Sequence, residues 1–499
     1  MATKPISFTE GTEPSDFSKN FSTFSIKTKK YLSCTDVLKN SNKFWAAELH
    51  LGALSKSRIL TNYGRTGGTI AKEVRYFDTE SEADLFLEKI VKEKTKKGYV
   101  EVAIVKADVG SDEGKSHIEP SKVSIEDIRK TSSVEESTLL HKKVYTLVKD
   151  WFGITSDYIY LNLDTTKCPL GQLSMEQITK GKELLEKARA IIHGTKSIDE
   201  LNKITNLYYS NIPHNFGYNR INVDTIRLDS DIKVDKAYDF LDVLFDSKNI
   251  DSITSTKSNI DTKYNSLNSE INYVDPVSDT YKWIELMFQK TRASNHHFLG
   301  EIRLLNVFSV NRKDEKSIFI KNAEKIASEC GKYNPSNTYK KLIENRPDVL
   351  DEYKDLYRNA NILPGWHGTR RANMIGITTN GFLIRPSGVV HSGSMYGDGV
   401  YFATNSSKSI NYVDCKGSYW ASGTSNNGYL FLCDVAFGNS TLASSSKNYS
   451  LKMIKPNHSV WAKAGSGGVI NDELIVYNPS GKNQQHLIKY VLEFETLVK

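Results

Sequence analysis

The period of the hydrophobic pattern changes along this chain, and one fold cannot satisfy both periods. Alternating runs such as FWAAELHL (44–51) predict β-strands. Through 136–250, apolar residues instead recur three and four positions apart, as in amphipathic helices. From about Tyr264 to Lys499 the runs are again short and rich in β-branched and aromatic residues. Since domains commonly hold roughly 100–200 residues, a chain of 499 residues predicts about three to four domains.

Polar segments between the periodic ones place the domain boundaries. The first 30 residues are rich in Ser, Thr and Lys and show no hydrophobic period, which predicts a flexible tail. A second polar stretch, ADVGSDEGKSHIEPSKVS (107–124), is typical of a linker. The fold class that follows is multidomain α+β. Its predicted parts are a tail (1–30), a small β-rich domain (31–106), a linker (107–135), a helical domain (136–250) and a mixed β-sheet domain (264–499).

Helix signals in the middle of the chain are specific enough to predict termini. Ser174 and Gln177 have the spacing of a capping box, so a helix should begin at this point. Gly194 should provide its C-terminal cap. Two further amphipathic segments, VDKAYDFLDVLFD (234–246) and YKWIELMFQKT (281–291), also predict helices.

Charge and cysteine usage exclude several classes of protein. The formal net charge of +7 is mildly basic, which permits a polyanionic partner without demonstrating one. The five Cys form no C-x-x-C pair, so a disulfide framework and a zinc-finger reader of nucleic acid are both disfavoured. No apolar run approaches the roughly 18 residues of a membrane helix, and residues 1–40 lack a signal-peptide core. These features predict a soluble, multidomain protein of a reducing compartment.

The first cluster of residues that could take part in binding or catalysis is GWHGTR (365–370). Gly368 has no Cβ, so its backbone can approach a flat ligand and pair with a carboxamide. The imidazole of His367 can bond a sugar hydroxyl. On its own, a His-Gly pair in a turn is more often structural.

The second cluster is GSMYGDGVYFATNSSKSINY (393–412). Two glycines fit a tight loop that leads into a strand at 400–403. Tyr401 and Tyr412 then offer two aromatic faces, and Ser409 offers a hydroxyl donor. A packed strand with buried tyrosines followed by a capped helix explains the same residues.

The third cluster is NDELIVYN (471–478), in which Glu473 leads an otherwise apolar run. A carboxylate entering a buried strand is unfavourable unless it has a partner or a chemical task. An exposed residue at the start of a strand is the simpler explanation of Glu473 by itself.

Together and in this order, the three clusters closely resemble the His–Tyr–Glu signature of the poly(ADP-ribose) polymerase catalytic domain. Asn373 and Gly381 match the same family pattern. CPLGQLSMEQI (168–178) and LYYSNIPHNFG (207–217) resemble the helical regulatory domain of its DNA-dependent members. NYGRTGG (62–68) is similar to the WGR domain, with Tyr63 in place of the Trp.

The resemblance implies a nuclear enzyme that transfers ADP-ribose from NAD+ to protein side chains, its own included, and elongates the chain with release of nicotinamide. DNA ends or breaks would activate it, and no metal is implied. Gly368 and Ser409 would hold the carboxamide, and Tyr412 and Tyr401 would enclose the nicotinamide. His367 would hold the adenosine ribose, and Glu473 the nicotinamide-ribose 2′-OH.

The implied residues fall into three groups. The implied catalytic residues are His367, Tyr401 and Glu473. The implied NAD+ contacts are His367, Gly368, Thr369, Tyr401, Phe402, Ala403, Lys408, Ser409 and Tyr412. The implied DNA or interdomain contacts are Tyr63, Gly64 and Arg65. The expected phosphate-binding stripe on this first domain consists of Lys56, Arg58, Arg65, Lys72 and Arg75.

Departures from the family pattern and two alternative functions stay open. Leu383 stands where the family usually has Arg, with Arg385 two residues on, and Ser394 replaces a common aromatic residue. If these changes disable elongation, the protein is a mono-ADP-ribosyltransferase. A DNA-end-binding scaffold with an inactive transferase domain is the second alternative. His296-His297 has no third metal ligand at suitable spacing, so a surface or core pair is expected there.

Overall fold

The computed structural model divides the chain into two compact units. The first comprises Met1–Glu135 and Asp157–Lys248, and the second Glu136–Ser156 and Asn249–Lys499. The predicted linker and Arg385 lie outside the described residues. The residues described are 6–66, 68–102, 138–162, 173–214, 216, 221–248, 259–330, 346–384, 394–421, 423–465 and 468–497.

A six-stranded antiparallel sheet forms the β-rich part of the first unit, with the order β1-β5-β4-β3-β2-β6. Strands β3 and β4 pair so that Trp45 lies directly opposite Tyr63. The strands are β1 (Ile6–Thr9), β2 (Ser25–Asp36), β3 (Ser41–Leu51), β4 (Ser57–Arg65), β5 (Ile70–Phe77) and β6 (Val100–Glu101).

Helices complete the first unit. The predicted capping box is confirmed, because the Ser174 hydroxyl accepts from the backbone N–H of Gln177, and Gly194 is the C-cap of the same helix. The helices of this part are α1 (Ser15–Ser18), α2 (Glu80–Lys96), α4 (Met175–His193), α5 (Ile198–Asn211), α6 (Val223–Ile226) and α7 (Asp231–Lys248). Helix α3 (Lys142–Asn162) lies between α2 and α4 in the chain, and its residues up to Ser156 belong to the second unit.

The sheet and the helices of the first unit share one core. Tyr31 and Phe44 of the sheet are buried in the same cluster as Ile178, Leu185 and Tyr208 of the helices. Polar contacts add to this packing at the turn between β2 and β3. There the N–H of Thr35 donates to the Ser210 hydroxyl at 2.8 Å, and the Asn42 amide donates to the His214 carbonyl at 2.8 Å.

The first 30 residues are not a flexible tail from Ile6 onward, which corrects the expectation from composition. Strand β1 pairs with β5 in the register Ile6 to Tyr76. Phe17 packs on Tyr76 with ring centroids 5.2 Å apart, and Phe21 is only 5% exposed. The segment is polar overall, but its few aromatic side chains cover apolar residues of β5 that would otherwise face water.

A nine-stranded mixed sheet organises the second unit, with the order β12-β13-β14-β10-β9-β11-β15-β8-β7. All neighbouring strands are antiparallel except β12 and β13. The strands are β7 (Ser269–Tyr273), β8 (Glu301–Arg312), β9 (Ile362–Gly368), β10 (Val400–Ala403), β11 (Asn427–Ala436), β12 (Ser440–Leu442), β13 (Ser459–Ala462), β14 (Glu473–Val476) and β15 (His486–Leu497). The multidomain α+β class expected from the sequence is therefore confirmed.

Short helices flank this second sheet. The first part of α3, which the sequence placed in the helical domain, groups with this unit because Trp151 is buried and packs edge-on against Tyr429 at 5.8 Å. Within the described segments, no helix has both the length and the apolar character needed to cross a membrane. The remaining helices are α8 (Ile260–Ser266), α9 (Asp279–Lys290), α10 (Glu315–Glu329), α11 (Lys354–Asn359), α12 (Met374–Asn380), α13 (Ser406–Ile410) and α14 (Leu451–Ile454).

A buried ionic cluster anchors β11, the neighbour of β9. Arg346 donates to Asp348 at 2.7 Å and to Asp434 of β11 at 2.6 Å, and its guanidinium lies 4.7 Å from the centre of the Trp283 ring. Burial alone raises the pKa of Asp348, but Arg346 and Lys489 together hold it well below the usual carboxyl range. Removing one member would leave a buried unpaired charge, which is strongly destabilising.

We predict that Phe21→Ala lowers the free energy of unfolding of the first unit by about 3 kcal/mol, since large-to-small changes in a packed core cost about 3–5 kcal/mol for Phe. The measurement is thermal or urea unfolding followed by circular dichroism. Leu54→Ala is the control, because Leu54 is 83% exposed and should change stability by less than about 0.5 kcal/mol. Equal stability of both variants would contradict the packed N-terminal segment.

Candidate active site

Three adjacent strands bring His367, Tyr401 and Glu473 to one region. His367 is the next-to-last residue of β9, Tyr401 lies in β10, and Glu473 begins β14. Strand β10 lies between the other two, and its Ala403 pairs with Trp366 on one side and Glu473 on the other. Residues 34 to 106 positions apart in the sequence are therefore neighbours in the sheet.

The pleat assigns these side chains to two faces of the sheet. Directly paired residues share a face, and so do residues two apart. Tyr401 and Glu473 thus lie on the face of Trp366, while His367 lies on the opposite face. There the His367 ring contacts Phe382 at 4.3 Å and Phe402 at 5.9 Å, and its Nδ1 lies 3.0 Å from the Tyr401 carbonyl.

Tyr401 is held by its hydroxyl as well as by its strand. The Tyr401 hydroxyl donates to the Gly397 carbonyl at 2.7 Å and accepts from the Tyr396 N–H at 2.9 Å. Burial raises the pKa of Tyr401 far above its usual value, and the nearby Glu473 carboxylate adds to the shift. The phenol therefore stays neutral.

Glu473 has a buried cationic partner. Lys408 of α13 lies 2.8 Å from Glu473 Oε1, and the two side chains are only 13% and 12% exposed. Lys408 also donates to the Asn471 carbonyl at 2.6 Å. Burial lowers the pKa of Lys408, and the Glu473 carboxylate opposes that shift. The sequence required a partner for a carboxylate at this position, and Lys408 provides it.

Three residues next to the Lys408–Glu473 pair were not among the predicted site residues. They are Asn471, His296 and Ser407. The Asn471 amide lies 3.2 Å from His296 Nε2, and His296 Nδ1 lies 2.9 Å from the Ser407 hydroxyl. Burial, followed by the nearby Lys408, lowers the pKa of His296, so a neutral imidazole is favoured. Asn471 belongs to the third sequence cluster, but its contact with a histidine 175 positions away has no signal in the local sequence.

Gly368 is required by packing inside the protein. A Cβ at this position would lie 1.8 Å from the backbone carbonyl oxygen of Ser409, so helix α13 contacts β9 directly. The Ser409 hydroxyl donates to the Trp366 carbonyl at 3.0 Å. Thr369 accepts a bond from the Asn373 amide at 3.0 Å. The sequence predicted that Gly368 allows close approach of a ligand, and the structure shows that it also allows close approach of helix α13.

The remaining predicted NAD+ contacts divide between core and rim. Phe402 and Ala403 are buried in β10, and Phe402 packs against His486 at 6.0 Å. Burial, together with smaller contributions from Arg312 and His367, lowers the pKa of His486 to about 3, so its imidazole is neutral. Tyr412 follows α13 and is half-buried, with the Trp420 ring stacked beside it at 6.5 Å.

In the first unit, the three residues of the WGR-like motif have different surroundings. Tyr63 is exposed on β4. A Cβ on Gly64 would lie 2.5 Å from the Thr69 carbonyl oxygen. Arg65 donates to the carbonyl and the side-chain oxygen of Asn40 at 2.8 and 3.1 Å, and that side-chain oxygen also accepts from the Ile221 N–H at 3.0 Å. Arg65 therefore braces a turn against the helical part of its own unit.

Three of the five residues of the expected phosphate-binding stripe have carboxylate partners. Lys56 pairs with Asp78 at 2.6 Å, and Lys72 pairs with Glu10 at 3.1 Å. Arg75 pairs with Glu73 at 2.6 Å. Asp78 and Glu10 lie outside the stretch of sequence that contains the stripe, so their pairing with it is visible only in the fold.

Three lysines elsewhere on the first unit have no carboxylate partner among the described residues. They are Lys43 of β3, Lys94 in the last turn of α2, and Lys97, which follows α2. Burial is the main cause that lowers the pKa of Lys94, and the positive charges of Lys97 and Lys43 lower it further. The Lys94 ammonium lies 5.1 Å from the centre of the Tyr99 ring. Across the described part of the chain, no ion pair involves these three lysines, which we call the lysine cluster.

Metal ligation has no support in the part of the structure that is described. There, no group of three or more His, Cys, Asp or Glu side chains is arranged to hold a metal ion.

We predict that Gly368→Ala destabilises the second unit by about 3 kcal/mol or more, because the new methyl group would overlap backbone and overpacking of this kind is costly. The matched control is Gly153→Ala in helix α3, where a Cβ would meet no atom within 4 Å. That change should stabilise the protein by about 0.5–1 kcal/mol through helix propensity. Thermal unfolding of both variants gives the comparison, and a harmless Gly368→Ala would refute the described contact.

Comparison with known families agrees with this geometry. The family model of the WGR domain matches residues 28–106. The models of the poly(ADP-ribose) polymerase regulatory and catalytic domains match 138–279 and 278–496, so together they cover most of the chain.

Several curated proteins are similar over most of this chain. A poly(ADP-ribose) polymerase of Sarcophaga peregrina is 27% identical over 87% of this chain and 40% of its own length. The poly(ADP-ribose) polymerase 1 of Danio rerio is 26% identical over 93% of this chain and 45% of its own length. The human protein mono-ADP-ribosyltransferase PARP3 is 26% identical over 82% of this chain and 71% of its own length.

The chain spans less than half the length of the first two of these relatives. Its two polymerase-domain matches are contiguous, and they contain the sheet whose adjacent strands β9, β10 and β14 carry His367, Tyr401 and Glu473. With a WGR domain before a regulatory and a catalytic domain, the chain belongs to the poly(ADP-ribose) polymerase family.

Proposed function

We propose that this protein is a poly-ADP-ribosyltransferase that consumes NAD+ and is activated by DNA ends or breaks. The observation that carries the proposal is the placement of His367, Tyr401 and Glu473 on the adjacent strands β9, β10 and β14, with Lys408 paired to Glu473. Its acceptors are protein side chains, its own included, and its compartment is the nucleus.

The reaction breaks the bond between nicotinamide and ribose, through a state in which positive charge grows on the ribose. A carboxylate held near that ribose stabilises the charge, and it does so best when it is fixed beforehand in a water-poor site. Glu473 meets this condition because its side chain is only 12% exposed and already paired with Lys408. We assign Glu473 to the nicotinamide-ribose 2′-OH, and His367 to the adenosine ribose.

The nicotinamide site is assigned to the face of β10 that carries Tyr401, which is opposite the face of His367. Tyr401 and Tyr412 would enclose the ring, and the Gly368 backbone and the Ser409 hydroxyl would hold its carboxamide. The Ser409 hydroxyl donates to Trp366 in this structure, so it would exchange that partner for the ligand. Thr369, Phe402, Ala403 and Lys408 complete the proposed contact set.

Chain elongation is proposed because the residue at position 473 is a carboxylate. In elongation, the acceptor is a ribose hydroxyl of the previous unit, and a carboxylate can polarise it. The similar proteins include some named as polymerases and one named as a mono-ADP-ribosyltransferase, so the product is decided by experiment on this chain.

We predict that Glu473→Gln lowers the rate of nicotinamide release about 10²–10³-fold, as the loss of a transition-state-stabilising group does. Long chains made from labelled NAD+ should disappear on a denaturing gel. Glu301→Gln is the control, because Glu301 is an exposed carboxylate of the same unit. Long chains made by the Glu473 variant would contradict the role in elongation. Attachment of a single ADP-ribose by the unaltered protein would favour a mono-ADP-ribosyltransferase. If the unaltered protein releases no nicotinamide, a scaffold with an inactive transferase domain is favoured.

DNA activation is proposed through the first unit. The lysine cluster supports contact with phosphates, since unpaired ammonium groups beside aromatic rings suit a nucleic-acid backbone and exposed bases. Lysines in the last turn of a helix also complement its dipole, which accounts for Lys94 without DNA. Tyr63 is exposed, so its ring is available to a sugar or base. DNA would raise turnover if it binds the active state more tightly than the resting state.

We predict that Lys43→Gln with Lys97→Gln weakens binding to a nicked DNA duplex and reduces the slope of log K against log salt by about 0.9 per lysine. Fluorescence anisotropy over a salt series measures both quantities. The matched control is Lys56→Gln with Lys72→Gln, which removes two lysines that already have carboxylate partners. If the control pair lowers the slope more than the cluster pair does, the DNA site lies on the stripe.

A further inference from the structure

Asn411 makes three hydrogen bonds that hold residues 419–421, which follow helix α13, beside Tyr412. The N–H of Tyr419 donates to the Asn411 side-chain oxygen at 3.0 Å. The N–H groups of Trp420 and Ala421 donate to the Asn411 carbonyl at 3.1 and 3.2 Å. Because Asn411 directly precedes Tyr412, these bonds fix the position of Trp420 relative to the Tyr412 ring.

A further hydrogen bond joins the same segment to the residues that directly follow β9. Arg370 donates to the Ala421 carbonyl at 3.2 Å, and Arg370 lies two residues after Gly368. The segment therefore contacts the chain next to both the proposed stacking residue and the proposed carboxamide clamp.

The aromatic side chains of this segment, Tyr419 and Trp420, are exposed to solvent. Trp420 is 40% exposed and Tyr419 is 68% exposed. The Trp420 ring lies within 20° of parallel to Tyr412 at 6.5 Å, and Tyr419 meets Trp420 edge-on at 4.7 Å. Both arrangements are among those that aromatic pairs prefer. Polar bonds thus keep a large apolar ring in partial contact with water, beside one tyrosine.

We propose that Trp420 is a positioning residue of the nicotinamide site, which holds the Tyr412 ring in the orientation that receives a planar aromatic carboxamide. This inference rests on the proposed function, because it takes the space beside Tyr412 as the nicotinamide site. Without the indole, Tyr412 gains rotational freedom, and binding a flat ring must then remove it. The effect falls on ligand affinity, so KM for NAD+ rises more than kcat falls.

The experiment measures the dissociation constant of benzamide, a planar carboxamide, by isothermal titration calorimetry on the full chain. Trp420→Ala should weaken binding about three- to tenfold, the range expected for the loss of one aromatic pair. Trp420→Phe should restore affinity to within about twofold, because it retains a ring that can stack. Benzamide should also quench tryptophan emission in the unaltered protein more than in Trp420→Phe.

Tyr419→Ala is the matched control, since it removes an exposed ring from the same segment that contacts Trp420 edge-on. It should change benzamide affinity less than about twofold. Equal affinity of Trp420→Ala and the unaltered protein would overturn the inference, and so would an equal loss in Tyr419→Ala. A protein that binds benzamide but releases no nicotinamide from NAD+ would refute the proposed function, while the affinities would still decide the role of Trp420.

Discussion

The candidate active site depends on the pairing of β10 between β9 and β14. Ala403 pairs with Trp366 and with Glu473, and this register alone sets which side chains share a face. Because side chains alternate along a strand, a slip of one residue would move Tyr401 and Glu473 to opposite faces. The sheet that forms the core of this unit therefore also aligns the site.

Burial of charge is the second constraint on the site. The Lys408–Glu473 pair and the Arg346 cluster each place ionised groups where water is largely excluded. Such groups persist only when partners satisfy them, and removal of one partner is more harmful than removal of both. In the Arg346 cluster the partners are internal and complete. The Lys408–Glu473 pair instead lies beside the proposed substrate groups, where a ligand can replace one contact with another.

Local sequence predicted local structure well. The capping contact of Ser174, the cap at Gly194 and the strand led by Glu473 all depend on neighbouring residues, and all are present. The N-terminal segment shows the limit of composition, because three phenylalanines among polar residues are enough to cover one strand. The start of the predicted helical domain shows a further limit, because Trp151 of α3 packs edge-on against Tyr429 of the nine-stranded sheet.

The sequence by itself determined the kinds of secondary structure, the order of the domains and the chemical groups available to the site. Tertiary structure decided which charges are paired, which glycines contact backbone and which aromatic rings stay exposed. Lys56 and Lys72 resemble Lys43 and Lys97 in the sequence, yet among the described residues Lys56 and Lys72 have carboxylate partners and the other two have none. The reason is physical, because electrostatic and packing energies depend on distance through space, and the chain fixes that distance only when it folds.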